Sequence, residues 1–277
     1  MRCRAPFAAE VLESNDGVAY RLAPQMDRLL LDQDFPGWVG GIFNIMIQPE
    51  LFDRFSASLA SWQRTWWDQV SPEFIAALAG TSHPFYSRLL ASGITRVPGL
   101  AERLEAGAHV LELACGTARG LTRLAHAYPQ SSFVAHDGDA YSLELASEGF
   151  RDAGLHDRIS VLHRSIEDLD QDDAYDVALI NVSMHECRDI ERATASIHRA
   201  LKPGGTFVIS YFPFPDSHEG LRTPPARVMR GIQFFEALID DQLLPTGAYV
   251  ELLGRHGFAD IASLDLSPVH VVIHGQK

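Results

Sequence analysis

The sequence predicts an α/β protein: a seven-stranded, mostly parallel sheet covered by helices on both faces, joined to a mainly helical N-terminal region. Three observations carry this. From about residue 105 onward, short β-rich runs alternate with helical patterns, the arrangement that builds a parallel sheet from βαβ units. Before residue 105 the apolar positions follow mostly helical spacing, interrupted by one hairpin signal. With 277 residues, 46% of them hydrophobic, the chain can bury one large core and an appended smaller unit. The expected division is residues 1–104, a helical region with a short β-hairpin, and residues 105–277, the sheet domain, with an insertion at about 212–245.

In the first region, Asn15-Asp16-Gly17 between two alternating arms of "VLESNDGVAYRL" signals a hairpin. Ser71 before Pro72-Glu73 reads as an N-cap with proline at the first helical position. The Trp, Phe, Met and Leu content exceeds what these short helices bury alone, so they are expected to pack over the sheet or a second subunit. In the second region, strands are expected at His109–Leu113, Ser132–His136, Ile159–His163, Asp176–Asn181, Thr206–Tyr211, and near Ile261–Leu264 and Val269–Ile273. Helices are expected at Arg119–Ala127, Ala140–Ala153 and Ile190–Leu201. Pro203 cannot continue a helix, and Gly204-Gly205 supply the permissive backbone of a sharp turn before Thr206.

A formal charge of −13 argues against a broad phosphate-binding surface, because such affinity needs Lys and Arg to displace counterions. Cys3, Cys115 and Cys187 form an odd, scattered set without metal-ligand spacing, which points to a reducing compartment. The N-terminus makes a poor signal peptide, and no stretch approaches the ~18 apolar residues of a membrane span. A soluble, cytoplasmic protein is expected, with no nucleic-acid or membrane partner.

The stretch "VLELACGTARG" runs a strand into a tight turn and a helix, with Gly116 placed for a close backbone approach or positive φ. Ala114 and Ala118 replace glycine without strain only if their backbone angles stay in ordinary regions. The helix N-terminus beginning at Thr117 and Arg119 favours a carboxylate or phosphate. Taken alone, a bland strand–turn–helix junction accounts for it as well. Asp137 lies 21 residues after Gly116, at the end of the next strand, where a carboxylate can accept both hydroxyls of a ribose. The two features together favour a nucleoside site.

From about residue 105 to the end the sequence resembles the class I S-adenosylmethionine-dependent methyltransferases. "VLELACGTARGLTRLA" is similar to their first cofactor loop, and "FVAHDGDAYSLELA" to their second strand with its ribose-binding acid. "YDVALINVSMHE", "ALKPGGTFVISYF" and "LLGRHGFADI" resemble later segments in the same order. The resemblance implies a Rossmann-like fold and S-adenosyl-L-methionine as cofactor, held by Glu112, Ala114, Gly116, Thr117, Asp137, Gly138, Ser165, Ile166 and Asn181. Two departures stand out: Ala114 and Ala118 take the places of loop glycines, and Ser165 stands where many members carry an aspartate for the adenine. The N-terminal third resembles the later part of a winged-helix dimerisation domain found in a small-molecule branch, which implies a lid and a homodimer.

The resemblance also implies a catalytic role for His185 in "SMHECRD", as general base or orienter, with Glu186 beside it to orient a base or bind a substrate amine or metal. The other reading of His185 is a capping or packing residue at a strand end. "HECRD" begins like the zinc helix HExxH, but Asp189 replaces the second histidine, so no metal is expected. His270 and His274 are expected at a surface or interface. Met229, Phe234 and Phe235 are candidates for a substrate wall and suit a helix core somewhat better; Trp66, Trp67, Phe85 and Tyr86 are lid candidates on the same terms. An aromatic-lined pocket suits a fairly apolar small molecule. The functions expected are O- or C-methylation of a small metabolite in a biosynthetic pathway, or the same fold without methyl transfer, as a pericyclase-like enzyme or non-catalytic partner. A nucleic-acid methyltransferase is disfavoured by the acid excess and by "NVSM" where an Asn/Asp-Pro-Pro-Tyr-like tetrad would stand.

Overall fold

A computed structural model describes residues 3–33, 35, 37–61, 70–237 and 241–277, apart from the side chains of Ala60, Val228 and Phe235. The N-terminal part begins with helix α1 (Arg4–Ala8), strands β1 (Leu12–Glu13) and β2 (Arg21–Leu22), and helix α2 (Met26–Leu31). Helices α3 (Gly41–Met46), α4 (Pro49–Ser61), α5 (Pro72–Leu78), α6 (His83–Arg88), α7 (Ile94–Arg96) and α8 (Leu100–Ala106) follow. The hairpin is present, but its loop is wide rather than a two-residue turn: Asp16 Oδ1 accepts from the N–H groups of Val18 and Ala19, each at 2.9 Å. Ser71 caps α5 as the sequence suggests, its Oγ accepting from Phe74 N at 3.2 Å.

The second part alternates β3 (His109–Leu113), α9 (Arg119–Ala127), β4 (Ser132–Asp137), α10 (Ala140–Asp152), β5 (Ile159–His163), β6 (Tyr175–Asn181), α11 (Ile190–Ala200) and β7 (Leu201–Tyr211). It closes with α12 (Pro224–Glu236), α13 (Thr246–Arg255), β8 (Ala259–Ser267) and β9 (His270–Gln276). The sheet has seven strands in the order β5-β4-β3-β6-β7-β9-β8. β3 to β7 run parallel; β9 enters antiparallel between β7 and β8. The Pro203-Gly204-Gly205 turn is drawn into β7 as an irregularity, with a register shift opposite Tyr175/Val177 and Gly204 at φ 74°.

Side chains alternate between the two faces, as strand geometry requires. Leu111, Leu113, Ala178, Ile180, Phe207 and Ile209 point to one core, with α11 and α13. Val110, Val177, Leu179 and Val208 point to the other, with α8, α9 and α10. Glu112, Asn181 and Ser210 lie on this second face at the carboxyl ends of their strands. Among the described residues no helix is long and apolar enough to cross a membrane.

Candidate active site

The strand order reverses between β3 and β6, and their carboxyl ends open a crevice where open α/β sheets bind ligands. A cavity of about 670 Å³ occupies that position. Its wall includes Glu112, Ala114–Gly120, Asp137, Asn181–Ser183, Glu186 and Glu236 from the sheet domain. α3 to α6 roof it with apolar and aromatic side chains, among them Ile45, Phe55, Phe85 and Tyr86.

Three residues of the loop after β3 take left-handed angles: Ala114 at φ 49°, Gly116 at 53° and Ala118 at 54°. Gly116 adopts this without cost, and an added Cβ there would meet nothing within 4 Å. The two alanines do not keep ordinary angles, and each carries roughly 1–2 kcal/mol of local strain. Main-chain bonds hold the turn: Cys115 N donates to His136 O at 3.0 Å, and Ala118 N to Cys115 O at 2.8 Å. Asp137 completes it, its Oδ2 accepting from Gly116 N at 2.7 Å and its Oδ1 from Asp139 N at 2.8 Å. The acid closing the second parallel strand and the bend closing the first therefore share one wall.

Among the described residues no Lys or Arg side chain pairs with the two carboxylates of this corner. Glu112 is 2% exposed, its Oε2 has no hydrogen-bond partner, and burial, then the Asp137 charge, pushes its carboxyl well above the usual range. Burial also raises Asp137, against the lowering effect of its two N–H donors. Paired, desolvated carboxylates are stabilised by a cationic ligand, and an orphan carboxylate oxygen can accept from an ammonium. A molecule with a sulfonium, an ammonium and a ribose diol fits these groups.

Asn181 is oriented by a chain through the sheet. Arg88 Nε donates to His270 Nδ1 at 3.1 Å, so the neutral imidazole carries its proton on Nε2 and donates to Ser210 Oγ at 2.9 Å. Ser210 Oγ in turn donates to Asn181 Oδ1 at 2.6 Å. Burial, then the Arg88 charge, pulls His270 down to about 3. His270 and His274 are thus buried in β9 rather than at the surface: Phe85 of α6 packs edge-on against His270, and β9 lies inside the sheet between β7 and β8. After Asn181 the chain turns at Val182, φ 57°, a position that strains a β-branched residue and is tied by Val182 N to Ser210 O at 2.8 Å.

His185 does not reach the cavity wall. It lies in the one-turn 3₁₀ helix Met184–Glu186, 7% exposed, edge-on to Tyr211 and with its Nε2 3.2 Å from Glu236 Oε2. Burial opposes its charge, but Glu236, Glu186 and Asp241 override it and hold the imidazole above its ordinary pKa. That environment favours the imidazolium and disfavours a free base. Glu186 and Glu236 face the cavity instead.

Of the other expected residues, Ala114, Thr117, Tyr86 and Phe234 line the cavity. Phe234 stacks on Phe55 with centroids 4.2 Å apart. Met229 is buried at 1% exposure away from the wall, as a helix-core residue. Gly138 and Ser165 are exposed outside the wall, and Ile166 packs into the sheet core. Ser165 Oγ donates to Asp168 Oδ2 at 2.9 Å. Trp66 and Trp67 lie outside the described residues, as does the Phe235 side chain. Glu236, Ser142 and Ser82 line the cavity with no motif to announce them, and Asp139 lines it too. The short polar residue Asp139, which caps α10 through Ser142 N at 2.8 Å, is the one with a sequence signal.

A methyltransferase-domain family model matches residues 110–205. A malonyl-[acyl-carrier protein] O-methyltransferase from Priestia megaterium is 26% identical over 103 residues, covering 37% of this chain and 36% of that protein. The chain spans less than half the length of the curated relatives it matches. Among solved structures, an O-methyltransferase family protein from Burkholderia thailandensis superposes with TM-score 0.70 at 18% identity, over 99% of this chain and 81% of that one. PigF, solved with SAH, superposes with TM-score 0.70 at 18% identity, over 99% of this chain and 83% of that one. Residues 110–205 are thus similar to a methyltransferase domain, and the chain has the class I S-adenosylmethionine-dependent methyltransferase fold.

Proposed function

We propose that the protein transfers a methyl group from S-adenosylmethionine to an oxygen or carbon of a small, largely apolar metabolite in a biosynthetic pathway. One observation carries the reading: the buried carboxylate of Glu112 and the partly buried one of Asp137 meet the N-terminal turn of α9 in a single cavity large enough for two small molecules. The cofactor, when bound, supplies an electrophilic methyl on a cationic sulfur. Asp137 accepts hydrogen bonds from the ribose, and Glu112, Ala114, Gly116 and Thr117 enclose the methionine end. Tyr86 and Phe234 border the acceptor, and the apolar roof excludes water and fixes its approach, which supplies much of the rate for an in-line transfer. A proton leaving an acceptor hydroxyl goes to the cluster of His185, Glu186 and Glu236, with His185 as the group that orients Glu236.

Residues 1–104 act in this reading as lid and dimerisation region, and residues 105–277 as the catalytic domain with its substrate insertion. Phe43 on α3, Ile47 just after it and Leu59 on α4 stay exposed outside the cavity wall, which supports a homodimer; sedimentation as a monomer at micromolar concentration would refute it. Three free thiols support a cytoplasmic location, which cell fractionation tests. The central test is calorimetry with S-adenosylhomocysteine. The wild-type chain is expected to bind one equivalent and Asp137→Ala to bind at least tenfold more weakly. Silence from the wild type removes the proposal.

A further inference from the structure

The carboxyl end of β6 gathers a second set of ionisable groups, apart from the loop after β3. His185, Glu186 and Glu236 each bring one ligand atom within 4.8 Å of the others. They come from separate elements, the 3₁₀ turn after β6 and the end of α12, 50 residues further on. Neither ring nitrogen of His185 makes a hydrogen bond, and neither does Glu236 Oε2, although all three atoms are buried. The 3.2 Å approach of Nε2 to Oε2 is therefore close but badly angled for a hydrogen bond. Buried polar atoms left in this state are costly and call for an explanation.

A cation supplies one. Ligands at 2.0–2.2 Å around a tetrahedral ion stand about 3.3–3.6 Å apart, and the Nε2–Oε2 separation is already close to such an edge. Glu186, with a carboxylate oxygen within 4.8 Å of both, is the third ligand. Glu186 and Glu236 line the cavity while His185 stands behind them, so a fourth position opens toward the cavity. One imidazole with two carboxylates is a mixed nitrogen–oxygen set suited to zinc or manganese, and three protein ligands with one open position is the pattern of a catalytic rather than a structural ion.

We propose that His185, Glu186 and Glu236 bind one divalent transition-metal ion whose open coordination position faces the cavity and takes an oxygen of the acceptor molecule. Ion binding stands on the site's own geometry, and the role of its open position toward an acceptor oxygen rests on the proposed methyl transfer. His185 is then a neutral ligand, and the ion takes the place of the proton that the surrounding carboxylates otherwise hold on its ring.

The test uses the full chain stripped with a chelator and titrated calorimetrically with zinc and with manganese, without cofactor. One equivalent is expected to bind with micromolar or tighter affinity and to raise the melting temperature. His185→Gln and Glu236→Gln are each expected to weaken binding at least tenfold. Glu191→Gln, at a surface carboxylate bonded to His256 Nε2 at 2.6 Å, should leave it unchanged. Should a buried variant not fold, Glu186→Gln and broadening of the His185 ring resonances by substoichiometric manganese in the wild type give the same answer. No binding up to millimolar metal, binding indifferent to these variants, or an unbroadened His185 overturns the proposal. Since no cofactor is present, these outcomes are separate from those of the S-adenosylhomocysteine titration.

Discussion

Replacing His270 by leucine tests the chain that orients Asn181. At pH 7 the loss leaves the Arg88 Nε–H without its acceptor and Ser210 Oγ without a donor, in a region where His270 is fully buried. An unsatisfied buried group costs about 1–3 kcal/mol, more when charged, so the variant should be less stable by roughly 3–4 kcal/mol. The sign of the pH effect follows from the depressed pKa. The unfolded imidazole takes a proton as pH falls through about 6.5, while the folded one resists until about 3, so the native state loses stability in that window. Between pH 7 and pH 5 the loss from His270 alone is roughly 2 kcal/mol. The raised carboxyls of Glu112 and Asp137 act in the opposite direction but are common to both proteins and cancel in the difference. Urea denaturation of both chains at the two pH values should therefore show the wild-type advantage shrinking by about half. An advantage that stays constant would mean that His270 is not held neutral, and the tautomer assignment would fall with it.

Gly120→Ala would set a Cβ 2.1 Å from Tyr86 Cδ2, so the ring must withdraw from α9; a loss of about 1–3 kcal/mol is expected in thermal unfolding, and much less in a Tyr86→Ala background. Ser71→Ala should cost about 1 kcal/mol through the lost cap of α5, measured by denaturation at neutral pH. Binding of S-adenosylmethionine should release protons, because a cation beside Glu112 favours its ionised form; calorimetry in buffers of different ionisation enthalpy reads the number, and Glu112→Gln should reduce it. Ala114→Gly should leave stability unchanged or raise it by up to about 1 kcal/mol, since relief of the left-handed angle offsets the added freedom of the unfolded chain.

The fold was legible because its signals are local. Turn residues and period-2 runs mark each strand, and the order of alternating elements leaves few topologies. The Gly116–Asp137 pairing was legible for the same reason, each residue closing a strand that the pattern announces. What the sequence did not disclose depends on the far side of the sheet. His270 and His274 look like an exposed pair at spacing four until α6 packs over His270 and β9 takes an inner place in the sheet. Glu236 carries no motif, and only the path of α12 brings it to His185. Likewise, a histidine after β6 reads as a base in sequence. Three carboxylates gathered from two other segments and its own neighbour turn it into a buried cation or a ligand.

The loop alanines illustrate how the fold absorbs a costly local choice. Ala114, Ala118 and Val182 all sit at positive φ around the mouth of one cavity, and none is a residue that chooses that region freely. Each strained turn is anchored by main-chain bonds to a neighbouring strand: Cys115 N to β4, Gly116 N to the Asp137 carboxylate, Val182 N to β7. Anchors of this kind set the backbone path irrespective of the side chain carried. Alanine in place of glycine therefore lowers stability while leaving the N–H groups of the turn aimed where they were. Ala118 regains part of the cost through a methyl buried to 1% in the core under α9. Loss of the anchoring carboxylate should consequently disturb the loop more than either alanine does, since Asp137 fixes the same turn that it would share with a bound ribose.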